Sequence, residues 1–215
     1  MVEGINYTVL KSRRKTISIT VQQERVIVRA PIGMNDERIN GFVKEHAAWI
    51  RKKLAEYNGA ANRFAGVREG KTVLLDGVEK PLVLGSKGNF EKDGVVYLKE
   101  LKSAQNFFKK MRSFLLVEKT ALLARTVGGC PEDVSVRDFK ARWGCCDANK
   151  RIRLNWRLSM LPPDLQDYVL VHELCHLKHM NHSSAFWAEV KKILPDYASR
   201  KKRLKEYAFL TLLYR

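Results

Sequence analysis

The chain has 215 residues, enough for one substantial domain or for a small domain joined to a larger one. Apolar residues make up 45% of it and charged residues 29%, a balance that is ordinary for a globular protein and excludes a disordered or fibrous one. Lysine and arginine number 40 against 23 aspartates and glutamates, and the net charge of +17 makes a nucleic acid a candidate partner.

Export and membrane insertion have no signature in this sequence. Residues 1–5 lack the basic start and apolar run of a signal peptide, and no apolar stretch approaches the length of a membrane span. The four cysteines include one adjacent pair and no C-x-x-C motif, which favours reduced thiols over a disulfide framework or a zinc finger. We therefore expect a cytoplasmic protein with no membrane partner.

The first part of the chain carries strand patterns and one helical pattern. Residues 7–28 alternate β-branched and polar side chains, which predicts strands. From Asn35, a good N-cap, apolar positions recur with helical spacing as far as Leu54 and predict one amphipathic helix.

Two Asp-Gly pairs follow this helix. Asp76-Gly77 and Asp93-Gly94 each lie between short apolar runs, and that arrangement predicts two hairpin turns. Residues 1–100 are therefore predicted to form a strand-rich amino-terminal region with one helix.

The composition changes at Leu101, where we place a domain boundary. Apolar spacing from there predicts a long helix that ends at Gly128. Alternation in residues 134–136 and 152–156 predicts two or three strands.

The next predicted helix, over about residues 164–180, follows two prolines, and another begins near Ser183 before a basic tail. Residues 101–215 are predicted to form the catalytic domain, which contains an H-E-x-x-H helix and a basic carboxy-terminal helix. The whole chain is predicted to belong to the α+β class.

Histidines cluster in that helical segment. Four of the five histidines lie within residues 172–182. His172 and His176, four positions apart on a helix, project side by side and can share one metal ion. Glu173 is turned about 100° from His172, which places its carboxylate beside such an ion rather than on it.

A catalytic zinc site needs a third protein ligand and one open position. His182 lies six residues past His176, beyond the predicted helix end, where a turn can return it to the metal. Glu189 on the following helix is the competing third ligand, and we favour His182. His179 would be directed about 60° away from the ligand pair.

These residues predict a zinc-dependent hydrolase. Bound zinc brings the pKa of its water to about 7, and Glu173 is the expected general base. Tyr168, one turn before His172, and Arg142 are candidates for stabilising the oxyanion.

With these residues identified, the sequence resembles the YgjP-like metal-dependent hydrolases, relatives of the SprT-like and WLM-type zinc peptidases and of the minimal gluzincins. The matching blocks are residues 11–19, 49–50, 142–144, 152–158, 171–176, 181–183 and 186–187. The resemblance implies a zincin-like metallopeptidase domain, built from a small sheet, an active-site helix and packing helices, after a strand-rich region. It also implies His172, His176 and His182 as metal ligands and Glu173 as catalytic acid/base.

One position departs from the family pattern. Where the family usually has R-W-G-S-C, this chain has a thiol, Cys145, in place of the serine hydroxyl, and Cys146 follows it. Two inert, reduced cysteines on a strand are the favoured interpretation.

Three functions fit this pattern. A metallopeptidase that acts on a peptide or protein is favoured, because strands beside such a helix hold extended peptides by edge pairing. A metal-dependent nucleotide or phosphoanhydride hydrolase is the second, since the many cations would suit its substrate. The third is a nucleic-acid-associated module or crosslink-processing protease, whose binding should weaken steeply with salt.

Overall fold

The computed structural model describes residues 4–22 and 25–214. The chain divides into two compact units, Met1–Phe64 and Ala65–Arg215. The first unit combines helices with one small sheet and the second combines helices with two, so the predicted α+β class is confirmed. The functional division into residues 1–100 and 101–215 stays a prediction.

The first unit contains a three-stranded sheet. Its order is β1-β3-β2, with β1 parallel and β2 antiparallel to the central strand. Alternate residues of the central strand, Val26, Val28 and Ala30, are buried in the core of this unit. The strands are β1 (Tyr7–Ser12), β2 (Ser18–Gln22) and β3 (Arg25–Pro31).

Two helices follow where the sequence predicted one. Asn35 caps α1 (Asp36–Glu45) by accepting a hydrogen bond from the Arg38 backbone, as predicted. The helix is interrupted at His46, whose ring shares a 2.9 Å hydrogen bond with the Phe42 carbonyl, before α2 (Ala47–Arg63) begins. The His46 backbone amide donates to the same carbonyl at 3.2 Å, and the break lies in the backbone of His46, whose φ of −98° and ψ of 9° are not helical, so the helical pattern continues in sequence while the helix does not.

The second unit opens with a short helix and a four-stranded sheet of order β4-β5-β7-β6. Both Asp-Gly pairs form hairpin turns with left-handed backbone at both residues, as predicted. The elements are α3 (Ala65–Arg68), β4 (Thr72–Leu75), β5 (Val78–Leu84), β6 (Phe90–Lys92) and β7 (Val95–Leu98).

The first hairpin turn supports the start of the helix that carries the histidines. The backbone amide of Gly77 donates to the Met160 carbonyl, and a Cβ at this glycine would lie 2.6 Å from Pro162. Asp76 accepts a hydrogen bond from the Gln166 side chain, at 3.0 Å. Glycine is therefore needed here both for its left-handed backbone and for the close approach.

A long helix, α4 (Ala104–Val127), follows a 3-10 turn and ends at Gly128 in left-handed conformation, as predicted. Its Phe108 ring stacks on Trp156, with centroids 5.5 Å apart, inside the core of this unit.

Three strands then form the sheet beside the histidine helix. Its order is β8-β10-β9, with β8 parallel and β9 antiparallel to the central strand, so β9 is an edge. The strands are β8 (Asp133–Arg137), β9 (Gly144–Cys146) and β10 (Arg151–Asn155).

The remaining chain is helical. A 3-10 helix, Trp156–Met160, leads into α5 (Pro163–Cys175), which starts on a proline as predicted. The last elements are α6 (Ser184–Ile193), α7 (Tyr197–Leu204) and a 3-10 helix over Lys205–Leu212. Within residues 4–22 and 25–214, none of the helices combines the length and apolarity needed to cross a membrane.

Candidate metal centre

The carboxy-terminal end of α5 positions the first two histidines of the cluster, His172 in the last turn and His176 at the C-cap. This helix is buried along most of its length, so groups on its inner face are removed from water. It ends at Cys175, earlier than the predicted end near residue 180, and His176 is its C-cap. His172 is half-buried and His176 buried, while Glu173 between them is only 6% exposed.

A tight turn returns the chain to this helix end. The amides of Leu177 and His179 donate back to the carbonyls of the last helical turn. The His176 Nδ1 atom lies 2.9 Å from the His179 carbonyl oxygen, a contact that fixes the ring orientation. The next helix then begins at its N-cap, Ser183, directly after His182.

These two features bring three imidazoles together. One ring nitrogen from each of His172, His176 and His182 lies within 4.8 Å of the others. The Nε2 atoms of His172 and His182 are 3.0 Å apart. Two nitrogens bound to one tetrahedral zinc at about 2.1 Å would be separated by about 3.4 Å, so the spacing is close to what a shared ion needs.

The cluster also contains a polar atom that the described residues leave unsatisfied. The Nδ1 atom of His172 is buried and has no hydrogen-bond partner among them. Burial of such an atom without a partner costs free energy. This nitrogen is on the opposite side of the ring from the Nε2 atom that faces His182, so an ion shared by the Nε2 atoms would not satisfy it, and the fit of a divalent metal rests on the convergence of the three imidazoles.

The protonation preference of the rings agrees with a ligand set. Burial lowers the pKa of His172 to about 3, and the charges of His176, His182 and Lys201 act in the same direction. Burial likewise lowers the pKa of His176. Neutral imidazole is the form that binds a metal, so both rings are held in that form.

Phe186 forms the floor beneath the three imidazoles. It is fully buried, and its ring centroid lies 4.9 Å from His172, 4.5 Å from His176 and 4.9 Å from His182. The histidine rings can therefore rotate little, because one aromatic ring packs against all of them.

Trp187 supports the exposed member of the cluster. Its indole stacks on His182 with centroids 5.6 Å apart, and its other stacking partner is Tyr197, at 5.4 Å. His182 follows a turn rather than lying within a helix, so this stacking supplies orientation that the helix supplies for His172.

The side chain of Glu173, which belongs to α5, packs against the edge strand β9. A Cβ at Gly144 would lie 2.9 Å from Glu173 Cγ and 3.0 Å from Oε1, so the carboxyl group occupies the space that a side chain would take. Burial raises the pKa of Glu173 to about 8, and the positive charge of Arg142 partly offsets this. A carboxylate of such raised basicity is suited to accept a proton near neutral pH.

The other polar residues singled out from the sequence lie at the margins of the cluster. Tyr168 is buried with its ring 6.1 Å from His172, and burial raises its pKa to about 12. Arg142 is exposed, with its guanidinium 5.7 Å from the Phe139 ring centroid. Cys145 and Cys146, both half-buried, lie on β9 and pair with β10.

Glu189 and His179, the other two residues considered as a third metal ligand, lie outside the three-imidazole group. The carboxylate of Glu189 pairs with Lys178 at 2.6 Å. His179 contributes its carbonyl oxygen to His176 and is not part of the three-imidazole group. The geometry therefore favours His182 over Glu189 as the third member.

Three residues that shape this site were not singled out from the sequence for that role. Phe186 and Trp187 entered only as one block of the family resemblance, and Gly144 only as part of another. The signal that could have found the aromatic pair is its position, four and five residues after His182, which places both on the first turn of α6. No local signal marks the glycine.

The model of the YgjP-like family, described as a metallopeptidase domain, matches residues 15–207. Among the curated proteins no match is found. Among solved structures, the chain is similar to the crystal structure of the metallopeptidase zymogen of Pyrococcus abyssi abylysin. That similarity has 26% sequence identity and a TM-score of 0.39, and it covers 41% of this chain and 90% of the other.

Proposed function

Because the chain belongs to the YgjP-like family of metallopeptidases, we propose that it is a zinc-dependent peptidase with Glu173 as its general base. His172, His176 and His182 are the proposed zinc ligands. The family gives the general class, a metal-dependent peptidase that acts on peptides or proteins. The zinc, the ligands and the base are the specific content of the proposal.

The observation that carries the proposal is the convergence of three imidazole nitrogens within 4.8 Å, beside a buried carboxylate. Three histidines suit zinc and leave a coordination position open for water or substrate, as catalytic zinc sites require. When bound, the ion supplies a water that ionises near neutral pH and a positive charge that polarises the peptide carbonyl.

Glu173 performs the proton transfers in this proposal. Its carboxylate accepts the proton of the attacking water and then delivers it to the amine that leaves. Gly144 allows the carboxyl group to lie against β9, and the nearby charge of Arg142 favours its ionised form. Arg142, which is exposed, and Tyr168, which is buried beside His172, remain the candidates for stabilising the oxyanion.

The edge strand offers a place for an extended peptide. β9 is antiparallel to β10 on one side and is the last strand in the sheet order on the other. An extended substrate can add to such an edge through main-chain hydrogen bonds. The scissile bond would then lie near Glu173, which packs against the first residue of the same strand.

The test is zinc content by elemental mass spectrometry together with hydrolysis of casein. We expect about one zinc per chain in the wild type, loss of zinc in His182→Ala, and full zinc but no hydrolysis in Glu173→Gln. His179→Ala is the matched control, because it removes a neighbouring imidazole whose side chain is outside the cluster, and it should keep the metal.

Two results would contradict the proposal. One is a wild type that takes up no zinc after gentle purification and zinc addition. The other is a zinc-loaded wild type that hydrolyses nucleotides but no peptide, which would favour the phosphoanhydride hydrolase instead. Association with nucleic acid stays a prediction from the net charge of +17, and its test is retention on DNA that falls steeply with salt.

A further inference from the structure

Beside the three imidazoles lies a group that the proposed reaction does not use. It consists of the stacked rings of Trp187 and Tyr197 and the side chain of Lys201, and we refer to it as the lysine shelf. The Lys201 ammonium lies 3.9 Å from the centroid of the Trp187 ring. Trp187 and Tyr197 are half-buried and Lys201 is exposed, so a ligand in solvent can reach the shelf.

The charge on this shelf differs from that of its neighbours on α7. Arg200 is paired with Asp196 at 2.9 Å, and Arg203 is paired with Asp164. Lys201 has no carboxylate partner in the part of the chain that the structure describes, and its contact there is the indole face. A cation–π contact leaves the ammonium able to accept an anion, since the ring compensates only part of its charge.

The shelf adjoins the candidate metal centre directly. The Trp187 ring centroid lies 5.8 Å from that of His172 and 5.6 Å from that of His182. The ammonium is at most about 10 Å from these imidazole centroids, so a group bound on the shelf lies within about three residues of a peptide bond placed at the histidines, because an extended chain advances about 3.3 Å per residue.

We propose that Lys201 and Trp187 form a subsite for a carboxylate of the peptide substrate, within about three residues of the bond that is cut. The inference rests on the proposed peptidase function and adds the substrate class, peptides with an acidic group near the scissile bond. The ammonium pairs with the carboxylate, and the indole shields one side of that pair from water.

The surrounding charge supports an anionic ligand rather than a neutral one. The two helices that carry the shelf, α6 and α7, bear further exposed lysines, so the field of these helices is positive before substrate arrives. They are Lys191 and Lys192 at the end of α6 and Lys202 on α7. The carboxylate itself has two sources in a peptide, an aspartate or glutamate side chain and the free carboxy terminus.

The kinetic test uses capped octapeptides in which one glutamate is moved through the positions around the cleaved bond, each paired with its glutamine isostere. We expect one position where glutamate raises kcat/KM roughly three- to tenfold over glutamine, the range for a partly shielded ion pair. Lys201→Gln should abolish that preference. Lys202→Gln, which removes the same charge from the same helix, should keep it. The same peptides with a free carboxy terminus distinguish a chain end from a side chain.

A binding test that needs no catalysis uses ¹⁵N-labelled tryptophan in the Glu173→Gln protein. Titration with the glutamate peptide should shift the indole N–H resonance of Trp187, and titration with the glutamine peptide should shift it less. Lys201→Gln in the same background should remove the difference. This readout separates the subsite from the reaction: if the acidic peptide shifts the resonance in this way while the zinc-loaded wild type cuts no peptide, only the proposed function is contradicted.

Equal kcat/KM for glutamate and glutamine at every position, with hydrolysis intact, would overturn the subsite and leave the peptidase standing. A preference for glutamate that Lys201→Gln and Lys202→Gln reduce equally would also overturn it, because the cause would then be the general field. A Trp187 resonance that shifts with a single-stranded oligonucleotide and with no acidic peptide would overturn it in favour of a nucleic-acid surface.

Discussion

Gly144 and Glu173 lie so close that a single methyl group at the glycine would collide with the carboxyl side chain. A Cβ atom on Gly144 would lie 2.9 Å from Glu173 Cγ and 3.1 Å from Cδ, both carbon atoms of a buried side chain. The packing of the edge strand against the histidine helix therefore fixes the position of Glu173, the proposed general base.

Gly144→Ala should lower peptidase activity at least tenfold while zinc remains bound. The added methyl group displaces Glu173 by some tenths of an ångström or more, and small misplacements of a reacting group cost large factors in rate. The measurements are kcat/KM on a casein-derived peptide and zinc content on the same samples.

The control for this substitution is Gly41→Ala. Gly41 lies inside α1 with nothing within 4 Å of the added atom, so alanine there should leave activity unchanged. Full activity in Gly144→Ala would show that Glu173 is not fixed by this contact.

The spacing of histidines on a helix is a local property, which is why it could be predicted from the sequence. His172 and His176 project together because the helical repeat requires it. The return of His182 depends on the turn after Cys175, and a six-residue spacing allows such a turn without specifying it. The approach of Gly144 to Glu173 joins segments about thirty residues apart, and contacts of that kind leave no periodic signal in a sequence.

Phe186→Leu should weaken zinc binding more than it weakens the fold. A leucine fills part of the volume but lacks the ring that stacks on His176 and meets His172 and His182 edge-on, so the proposed ligands gain rotational freedom. Loss of such supporting groups typically costs about 10- to 100-fold in metal affinity. The measurement is zinc affinity by competition with a chromophoric chelator.

Val190→Ala serves as the control for Phe186→Leu. Val190 is also fully buried on α6, one turn further on, and its truncation should lower the free energy of unfolding by about 1–2 kcal/mol. Zinc affinity should stay within about twofold. A Phe186→Leu protein that binds zinc as tightly as the Val190→Ala protein would contradict the role of the aromatic floor.

Arg157→Met should destabilise the second unit by about 3 kcal/mol, measured by urea unfolding. The fully buried Arg157 guanidinium donates to the Leu213 carbonyl through two nitrogens and pairs with Asp138, which also accepts from the Trp156 indole. Removing the arginine leaves the Leu213 carbonyl and the partly buried Asp138 carboxylate without this donor.

The pair of Arg151 with Asp147 provides the comparison. Arg151 is about half exposed, and exposed pairs contribute about 0–1 kcal/mol, so Arg151→Met should change stability little. Equal losses in the two variants would show that the buried guanidinium contributes no more than a surface pair. The sequence did not predict the role of Arg157, because its partners lie 19 and 56 residues away.

The helix break at His46 shows the same limit at short range. The apolar spacing from Asn35 to Leu54 predicted one helix, whereas the backbone leaves helical conformation at His46, with φ −98° and ψ 9°. Periodicity reports which face is buried and does not report a departure of one residue from helical dihedral angles.

Cys146, which lies close to Glu173, should react slowly with iodoacetamide. Burial raises the pKa of its thiol to about 11, and the negative charge of Glu173 adds to the effect. Since the thiolate is the reacting form, about one molecule in a thousand is reactive at pH 8, and the rate should rise about tenfold per pH unit up to that pKa. Labelling at pH 7.5 and 9.5, read by peptide mass spectrometry, measures this directly.

The exposed Cys130 is the internal reference and should be labelled first at pH 7.5. In the Cys145→Ser protein, which restores the residue usual in the family, the peptide carries a single thiol and the assignment is unambiguous. Unfolding in urea should bring Cys146 to the rate of Cys130, because burial causes the difference. If Cys146 in the folded protein is labelled at pH 7.5 as fast as Cys130, then its thiol is activated rather than suppressed, and the interpretation of these cysteines as inert residues of β9 is wrong.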